Sequence, residues 1–305
     1  MSDRPALQDL LEVQAHFGLP SAALVEKDWH VVKALAAIVA ADIAPLRLVF
    51  GGGTALSRAH RLVKRMSEDI DLRIGAESSP SRGALRRVRE TVTRSLLDAG
   101  FRFDPRNPAH RESGNESRYT IYRLPYEPVT AGEGVLRPEI QIETAVWPLR
   151  QPSVERQVTS FVAEALGRQP EISAIACASI TETAAEKFVA LTRRTGAEMA
   201  RTGGPRDPTL IRHLYDLHIL RGHYARAEVI ALAREIMLSD VEAYGHQFPA
   251  YRDDPIKETL RAVAGLRADS TYAARYATFR RDMVYGEAPD FETAIDTLAR
   301  LAEEL

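Results

Sequence analysis

The chain has 305 residues, of which 45% are hydrophobic and 27% are charged, so it is long enough to bury a sizeable core in two domains. These totals exclude a disordered or fibrous protein. The formal net charge of -2 at pH 7 argues against a protein that coats nucleic acid by bulk charge, so any nucleic-acid contact is expected to be local.

The single cysteine, Cys177, lies in an apolar stretch and cannot form an internal disulfide, which indicates a buried thiol in a reducing compartment. The opening residues contain no apolar run after a basic segment, and no window approaches the roughly 18 apolar residues of a membrane span. We therefore expect a cytoplasmic protein with no membrane partner.

The first predicted elements are helices over residues 6–17 and 21–41, with Pro20 as a stop and Ser21 as the N-cap of the second helix. Their apolar residues recur at helical spacing.

A strand, a tight glycine turn and a helix follow. Residues 46–50 are rich in strand formers, three glycines come directly after them, and residues 54–61 are predicted to be helical. Residues 69–74 then alternate polar with apolar side chains, which is the period-two pattern of a strand with one buried face.

The rest of this half is an amphipathic helix at 82–99 and further strands at 101–103, 118–124 and 138–144. These strands complete a mixed sheet. From about residue 155 the pattern becomes mostly helical, with long helices predicted at 180–196, 207–222, 226–240, 255–268 and 290–304.

The clearest loop in the helical half is the stretch 201–206. The predicted fold class is α+β: an N-terminal domain at residues 1–165 that carries the mixed sheet with flanking helices, and a mostly helical C-terminal domain at residues 166–305.

The strongest chemical signal is the pair Asp69 and Asp71, because two residues separated by one position on a strand point to the same face, while Ile70 and Leu72 turn into the core. Carboxylate oxygens suit Mg²⁺, which usually takes one or two protein carboxylates together with substrate phosphates. The upstream glycines let backbone N–H groups approach a triphosphate, and the helix near Thr54 would aim its positive end at it.

A lone D-x-D pair or a lone glycine turn is not specific, and neither a Walker lysine nor the Rossmann glycine pattern is present. The order of strand, glycine turn, helix and carboxylate strand is more informative. It predicts a site for a metal-bound NTP.

This order resembles the polymerase-β-like nucleotidyltransferase fold, and its motifs are closer still to the AbiEii/AbiGii toxin family of MenT-like nucleotidyltransferases. Residues 52–56 match the family pattern G-G-T-x-L, and residues 65–72 match R-x-S-x-D-hydrophobic-D-L without a gap. Weaker matches are the E-K-D-aromatic segment at 26–29, the E-K-hydrophobic helix at 186–191 and the R-x-hydrophobic-Y-D-L helix at 212–217.

The resemblance implies a third metal carboxylate on a neighbouring strand, where Glu139, Gln141 and Glu143 share one face. Glu143 fits the family's apolar-E-apolar strand better than Glu139, although Thr144 replaces the apolar residue expected after it. A solvated strand face is the alternative.

The resemblance also implies that the helical C-terminal domain contributes two residues to the cleft. Lys187 would contact the nucleotide phosphates, and Asp216 would position the nucleotide or the acceptor hydroxyl. The structural alternatives are an exposed helix lysine and an N-cap or helix salt bridge.

The expected site is therefore a set of ten residues. The catalytic group is Asp69, Asp71, Glu143, Lys187 and Asp216, of which the first three bind metal. The nucleotide-binding group is Gly52, Gly53, Thr54, Arg65, Ser67 and Lys187.

Basic residues near these motifs are candidates for contact with RNA, with a solvated charged face as the alternative. They are Arg58, Arg61 and Lys64 after the glycine turn, and Arg193 and Arg194 beyond Lys187. Ser67 lies two residues before Asp69, so a phosphate there would add negative charge beside the metal carboxylates and block NTP binding. Full activity of Ser67→Asp would count against this hypothesis.

By resemblance, the chain is expected to be a toxin that transfers a nucleoside monophosphate from an NTP to RNA, with tRNA the first candidate acceptor. The expected cofactor is Mg²⁺, with Mn²⁺ as an alternative, and the expected partner is a separately encoded antitoxin in a toxin–antitoxin or phage-defence system. Two alternatives remain open: transfer to a protein or small-molecule hydroxyl, and a nucleotide-binding regulator without transfer. The sequence does not specify the NTP, the number of nucleotides added or the oligomeric state.

Overall fold

The structure is a computed structural model that describes residues 4–75, 79–130, 136–202, 207 and 209–305. The chain divides into two compact units. The first consists of Met1–Arg61 with Arg65–Ala178, and the second of Leu62–Lys64 with Ser179–Leu305.

The first unit is built on a seven-stranded mixed sheet in the order β3-β4-β5-β2-β1-β7-β6. The β2–β5 and β1–β7 pairs are parallel, and the other neighbours are antiparallel. The mixed sheet with flanking helices confirms the predicted fold class. The strands are β1 Arg47–Gly51, β2 Asp69–Gly75, β3 Arg111–Gly114, β4 Tyr119–Pro125, β5 Glu139–Ala145, β6 Val154–Val158 and β7 Ile172–Cys177.

Among the described residues, five α-helices belong to this unit. They are α1 Leu7–Phe17, α2 Ala22–Val39, α3 Gly52–Thr54, α4 Arg82–Asp98 and α5 Phe161–Ala165. The short α3 continues into a π-helical segment, Ala55–Ala59, and a 3-10 turn spans Asn115–Ser117. The predicted N-cap is confirmed, because the Ser21 hydroxyl accepts a hydrogen bond from Ala23 N at 3.0 Å.

The core of the first unit lies on one side of the sheet. Alternation buries Ile70, Leu72 and Ile74 of β2, while the residues between them are only half-buried. The helices α2 and α4 contribute their apolar stripes to the same core. The predicted buried thiol is confirmed, since Cys177 of β7 is fully buried in this cluster.

The strand predicted at 101–103 is wrong. Residues 101–103 follow the left-handed Gly100 as an irregular segment with no strand pairing. The Phe-Arg-Phe alternation arises because Phe101 and Phe103 both pack into the core, and Phe103 meets the Tyr122 ring edge-on at 6.2 Å.

The prediction of mostly helical structure from residue 155 is also wrong at its start, because β6 and β7 lie there and α5 between them is short. The strand β3 was not predicted either. Since β7 pairs with β1, residues 166–178 belong to the sheet-containing unit.

The second unit is helical. Its helices are α6 Ile180–Ala200, α7 Arg212–Leu220, α8 Arg226–Tyr244, α9 Pro249–Asp253, α10 Pro255–Ala268, α11 Ser270–Met283 and α12 Phe291–Ala302. Five of them match predicted helices, whereas α9 and α11 were missed. Of the predicted loop at 201–206, residues 203–206 lie outside the described residues. None of the helices within the described ranges is long and apolar enough to cross a membrane.

His30 of α2 provides a test of this packing. Its ring is buried and stacks on the Tyr126 ring at 4.2 Å, and burial, helped by the charge of Arg4, lowers the pKa of His30 to about 4. Because the folded-state pKa lies below the unfolded value, the folded protein holds His30 neutral, and the resulting stability is present above about pH 6.5 and lost as the pH falls toward 4.

We predict that this loss amounts to about 2 to 3 kcal/mol between pH 7 and pH 4.5. In His30→Phe, which keeps a ring on Tyr126, this component should disappear. Urea unfolding of both proteins at the two pH values measures the difference. Equal losses in the two proteins would show that His30 is not the group responsible.

Candidate active site

The pairing of β2 with β5 brings the predicted carboxylates to one face. In this parallel pair Asp69 lies opposite Gln141, and Asp71 lies opposite Glu143. All four side chains are half-buried, whereas the residues between them are buried in the core. We call this surface, defined by Asp69, Asp71, Glu139, Gln141 and Glu143, the carboxylate face.

The glycine turn lies against this face. Gly51 is opposite Asp71 in the antiparallel β1–β2 register, and Gly52 has a φ of 69°, which favours glycine. A Cβ added at Gly52 would overlap Asp71 Oδ2 and stand 2.7 Å from its Cγ. The absent side chain is therefore what allows the Asp71 carboxylate to pack against the backbone of the turn.

Two further predicted residues lie beside the turn. A Cβ added at Gly53 would overlap Arg65 Nη2 and stand 2.8 Å from Ser67 Oγ. Arg65 is only 3% exposed, and its Nη1 donates a hydrogen bond to Met66 O at 2.9 Å. The structure thus brings together the glycine turn, Arg65, Ser67 and the carboxylate face.

Thr54 is placed differently from a residue that faces a ligand. Its side chain is buried, and its hydroxyl donates a hydrogen bond to the backbone carbonyl of Asp69. Thr54 therefore ties the helical turn after the glycines to the first residue of β2. In the π-helical segment that follows, His60 N donates to Ala55 O at 2.8 Å.

Sequence reasoning missed Arg137. Its Nη2 donates to Asp69 Oδ1 at 3.0 Å and its Nη1 to Gln141 Oε1 at 3.2 Å. Gln141 Nε2 in turn donates to Glu143 Oε1 at 2.8 Å. No motif contains Arg137, so only the fold reveals that it reaches the carboxylate face.

The backbone of Arg137 is held by the lysine of the E-K-D segment in α2. The fully buried Lys27 Nζ donates to Arg137 O at 2.8 Å and to Glu139 O, and lies 3.4 Å from Glu68 Oε2. Burial lowers the pKa of Lys27, and the Glu68 carboxylate opposes that effect. Lys27 therefore fixes the start of β5 beside β2.

The two acids of the same segment hold other parts of the first unit. Glu26 accepts hydrogen bonds from Val129 N at 2.8 Å and from the Thr130 hydroxyl at 2.7 Å. Asp28 accepts one from Phe161 N at 2.7 Å, and burial raises the pKa of Asp28 to about 6. The conspicuous E-K-D motif thus has a positioning role in this structure.

Of the basic residues after the glycine turn that were predicted to contact RNA, Arg61 and Lys64 are exposed, whereas Arg58 is not. Arg58 is buried, lies 3.3 Å from Asp28 Oδ1 and stacks on the Phe161 ring at 3.7 Å. Its role as an RNA guide is therefore corrected to a packing role. The exposed Arg61 donates to the Thr159 hydroxyl at 3.1 Å.

The donor set fits Mg²⁺ in its chemistry, because Asp69, Asp71 and Glu143 offer half-buried carboxylates on adjoining strands. Within the described part of the chain, however, no group of three or more His, Cys, Asp and Glu side chains is arranged to hold a metal ion. Two of the carboxylates contact neighbouring side chains instead. Asp69 is paired with Arg137. Glu143 accepts a hydrogen bond from Tyr119, and burial together with the charge and hydrogen bond of Glu143 raises the pKa of Tyr119 to about 12.

Lys187 and Asp216 lie in the second unit, where the structure pairs them with each other. Lys187 Nζ is 2.8 Å from Asp216 Oδ2 and 3.3 Å from His213 Nδ1. Both side chains of the ion pair are buried, at 7% and 0% exposure. The helix salt bridge considered as an alternative for Asp216 is therefore present, and its partner is Lys187.

Arg193 and Arg194 were predicted to contact RNA beyond Lys187, but Arg193 packs within the second unit. That side chain pairs with Asp240 at 2.7 Å and stacks on the Tyr244 ring at 4.1 Å. Arg194 is exposed and pairs with Asp207 at 3.1 Å. Arg193 is thus used in packing, and only Arg194 presents its guanidinium to solvent.

The family described as "Nucleotidyl transferase AbiEii toxin, Type IV TA system" matches residues 33–297. The chain therefore belongs to the AbiEii family of nucleotidyltransferase toxins of type IV toxin–antitoxin systems. The matched range contains every expected site residue, from Gly52 to Asp216, whereas the E-K-D segment precedes it.

Among solved structures, the chain is similar to MenT4, a nucleotidyltransferase toxin from Mycobacterium tuberculosis H37Rv. The two are 19% identical over 96% of this chain and 98% of that chain, with a TM-score of 0.48. None of the curated protein sequences matches the chain.

The packing of Asp71 on Gly52 gives the first prediction for the site. In Gly52→Ala the new methyl group must displace the Asp71 carboxylate. If Asp71 acts in the reaction, nucleotide transfer should therefore fall by about 100-fold. Gly18→Ala is the matched control, because Gly18 has a φ of 61° and nothing within 4 Å of an added Cβ. Transfer assays and thermal unfolding of both variants make the comparison.

Gly18→Ala should lose about 1 to 2 kcal/mol of stability from the left-handed backbone. Gly52→Ala should lose at least as much, because its methyl group also displaces Asp71, and only Gly52→Ala should lose transfer. Retention of transfer by Gly52→Ala would contradict the placement of Asp71.

The buried ion pair gives a second prediction. Lys187→Met leaves Asp216 buried without its ammonium partner, so it should cost about 3 to 5 kcal/mol of unfolding free energy. The double variant Lys187→Met/Asp216→Leu should cost less than the sum of the single changes. Urea unfolding of the cycle measures the coupling, and additive costs would show that the pair does not interact.

Proposed function

We propose that this toxin transfers a nucleoside monophosphate from an NTP to the hydroxyl of an RNA acceptor, with tRNA as the first candidate and pyrophosphate as the second product. One observation carries the proposal: Asp71 and Glu143 lie directly opposite each other on parallel strands, beside Asp69 and against a glycine turn. Family membership supports the transferase class, and the RNA acceptor is our inference from the toxin class.

Asp69, Asp71 and Glu143 would hold the divalent cation, Mg²⁺ or Mn²⁺. When bound, the cation neutralises phosphate charge and lowers the pKa of the attacking hydroxyl. Oxygen ligands on adjacent strands suit such a hard ion, which keeps part of its coordination shell for phosphates.

The residues around the turn would bind the rest of the nucleotide. Without side chains at Gly52 and Gly53, backbone N–H groups can approach the triphosphate closely. Arg65 and Ser67 are next to this backbone, so a guanidinium and a hydroxyl are available for phosphate oxygens. Lys187 and Asp216 are proposed to assist by their resemblance to family motifs.

In the reaction, the acceptor hydroxyl loses its proton to solvent and its oxygen forms a bond to the α-phosphorus. The bond from the α-phosphorus to the bridging oxygen of the β-phosphate breaks, and pyrophosphate leaves. Such transfers depend mainly on positioning and charge neutralisation rather than on covalent chemistry by the protein. The chain's own contribution is therefore to hold carboxylates, glycine turn and Arg65 in fixed register.

The decisive experiment uses each of four α-³²P-labelled NTPs with total tRNA and Mg²⁺. Wild type should label RNA from at least one NTP, and Asp69→Ala should lose about 100-fold or more of that transfer while remaining folded. Glu143→Gln should fall similarly. Glu139→Gln is the matched control. Glu139 lies on the same face of β5 as Glu143, but it precedes Glu143, the residue that lies opposite Asp71.

Equal loss in Glu139→Gln and Glu143→Gln would overturn the choice of third carboxylate. Label in protein or in small metabolites instead of RNA would replace the acceptor. Binding of NTP with no transfer to any fraction would favour a regulator. A separately encoded antitoxin is the proposed partner, and its coexpression should restore growth that the wild-type toxin inhibits.

A further inference from the structure

Arg137 crosses from the start of β5 to the first carboxylate of β2. Its guanidinium contacts Asp69 at 3.0 Å, Gln141 at 3.2 Å and Glu139 at 3.7 Å. It is half-exposed, with 49% of its side chain accessible. A positive group thus lies at one of the carboxylates proposed to bind metal, although no motif contains it.

The backbone of Arg137 is held on both sides. Its N–H donates to Glu68 Oε2 at 3.3 Å, and its carbonyl accepts from the buried Lys27 ammonium at 2.8 Å. The backbone anchor is therefore fixed by buried charges, while the half-exposed side chain remains able to rotate away. This combination suits a group that must leave its partner and return.

The carboxylate face carries four acidic side chains, whose mutual repulsion a nearby positive charge reduces. Asp69, Asp71, Glu139 and Glu143 share this face on two neighbouring strands. Like charges on adjacent strands repel, and a guanidinium can contact several carboxylate and amide oxygens at once. Arg137 reaches Asp69 directly and Glu143 through Gln141, so it links the two strands where a cation would.

We propose that Arg137 is a counter-ion built into the metal site, which competes with the divalent cation for Asp69 and moves away when the cation and NTP bind. The proposal rests on the proposed function, because it requires a metal site on the carboxylate face. Once displaced, the Arg137 guanidinium is suited to bind a phosphate oxygen of the nucleotide.

The test measures metal affinity without nucleotide or turnover. Mn²⁺ is titrated into nucleotide-free protein, and free Mn²⁺ is followed by electron paramagnetic resonance. Arg137→Gln should bind Mn²⁺ about three- to ten-fold more tightly than wild type, because the cation no longer displaces an ion pair. Arg137→Lys keeps the charge but loses the planar fork of donors, so its Mn²⁺ affinity should lie between those of wild type and Arg137→Gln.

Arg123→Gln is the matched control. Arg123 of β4 lies opposite Gln141 of β5, so the substitution removes the same charge from the same side of the sheet. Arg123, however, pairs with Glu112 at 3.6 Å. In Arg123→Gln the Mn²⁺ affinity should change by less than about twofold, because Arg123 pairs with Glu112 of β3, on the side of β4 away from β2, and solvent and salt screen its charge.

Unchanged or weaker Mn²⁺ binding by Arg137→Gln, or equal tightening by Arg123→Gln, would overturn the counter-ion. Failure of the proposed function has a different signature: neither wild type nor Arg137→Gln would bind Mn²⁺, with or without NTP. A purely structural Arg137 would lower the melting temperature in Arg137→Gln and leave the Mn²⁺ affinity of the folded protein unchanged.

Discussion

The parallel pairing of β2 with β5 is the constraint on which the candidate site depends. Because side chains alternate along a strand, this register sends Ile70 and Ile142 into the core and leaves Asp71 and Glu143 facing each other on the other side. A slip of one residue would bury carboxylates and expose the core. The energy of apolar burial therefore also fixes the positions of the acidic groups.

Buried charges of α2 reinforce this register. Lys27 joins Glu68 before β2 to the backbone at the start of β5, while Glu26 and Asp28 bind separate segments of the first unit. An unpaired buried charge would raise the free energy of the folded state. These pairs therefore favour one arrangement of the segments that they join. The motif that precedes the glycine turn thus acts through positioning.

Much of the first unit follows from its sequence, because the alternating patterns of β2 and β5 and the glycines after β1 are local signals. The Phe101 and Phe103 rings show the limit of such signals, since their alternation reflects burial without strand pairing. The strands β6 and β7 were missed because their short patterns include exposed positions and do not alternate regularly.

The site shows the same division between local and long-range information. The glycine turn and Asp71 belong to one contiguous block, so their proximity was predictable. Arg137 lies 68 residues from Asp69 and has no motif of its own, so its contact depends on the tertiary fold. The pairing of Lys187 with Asp216 likewise requires two helices to pack, which neither helix pattern reveals.

We propose that Asp69, Asp71 and Glu143 form the metal site of this AbiEii nucleotidyltransferase. Anomalous diffraction from crystals grown with Mn²⁺ and a non-hydrolysable NTP analogue tests it most directly. We expect a Mn²⁺ peak beside the triphosphate, within about 2.5 Å of carboxylate oxygens of Asp71 and of at least one of the other two acids. A nucleotide-bound structure with Mn²⁺ elsewhere, or with the triphosphate away from the glycine turn, would contradict it.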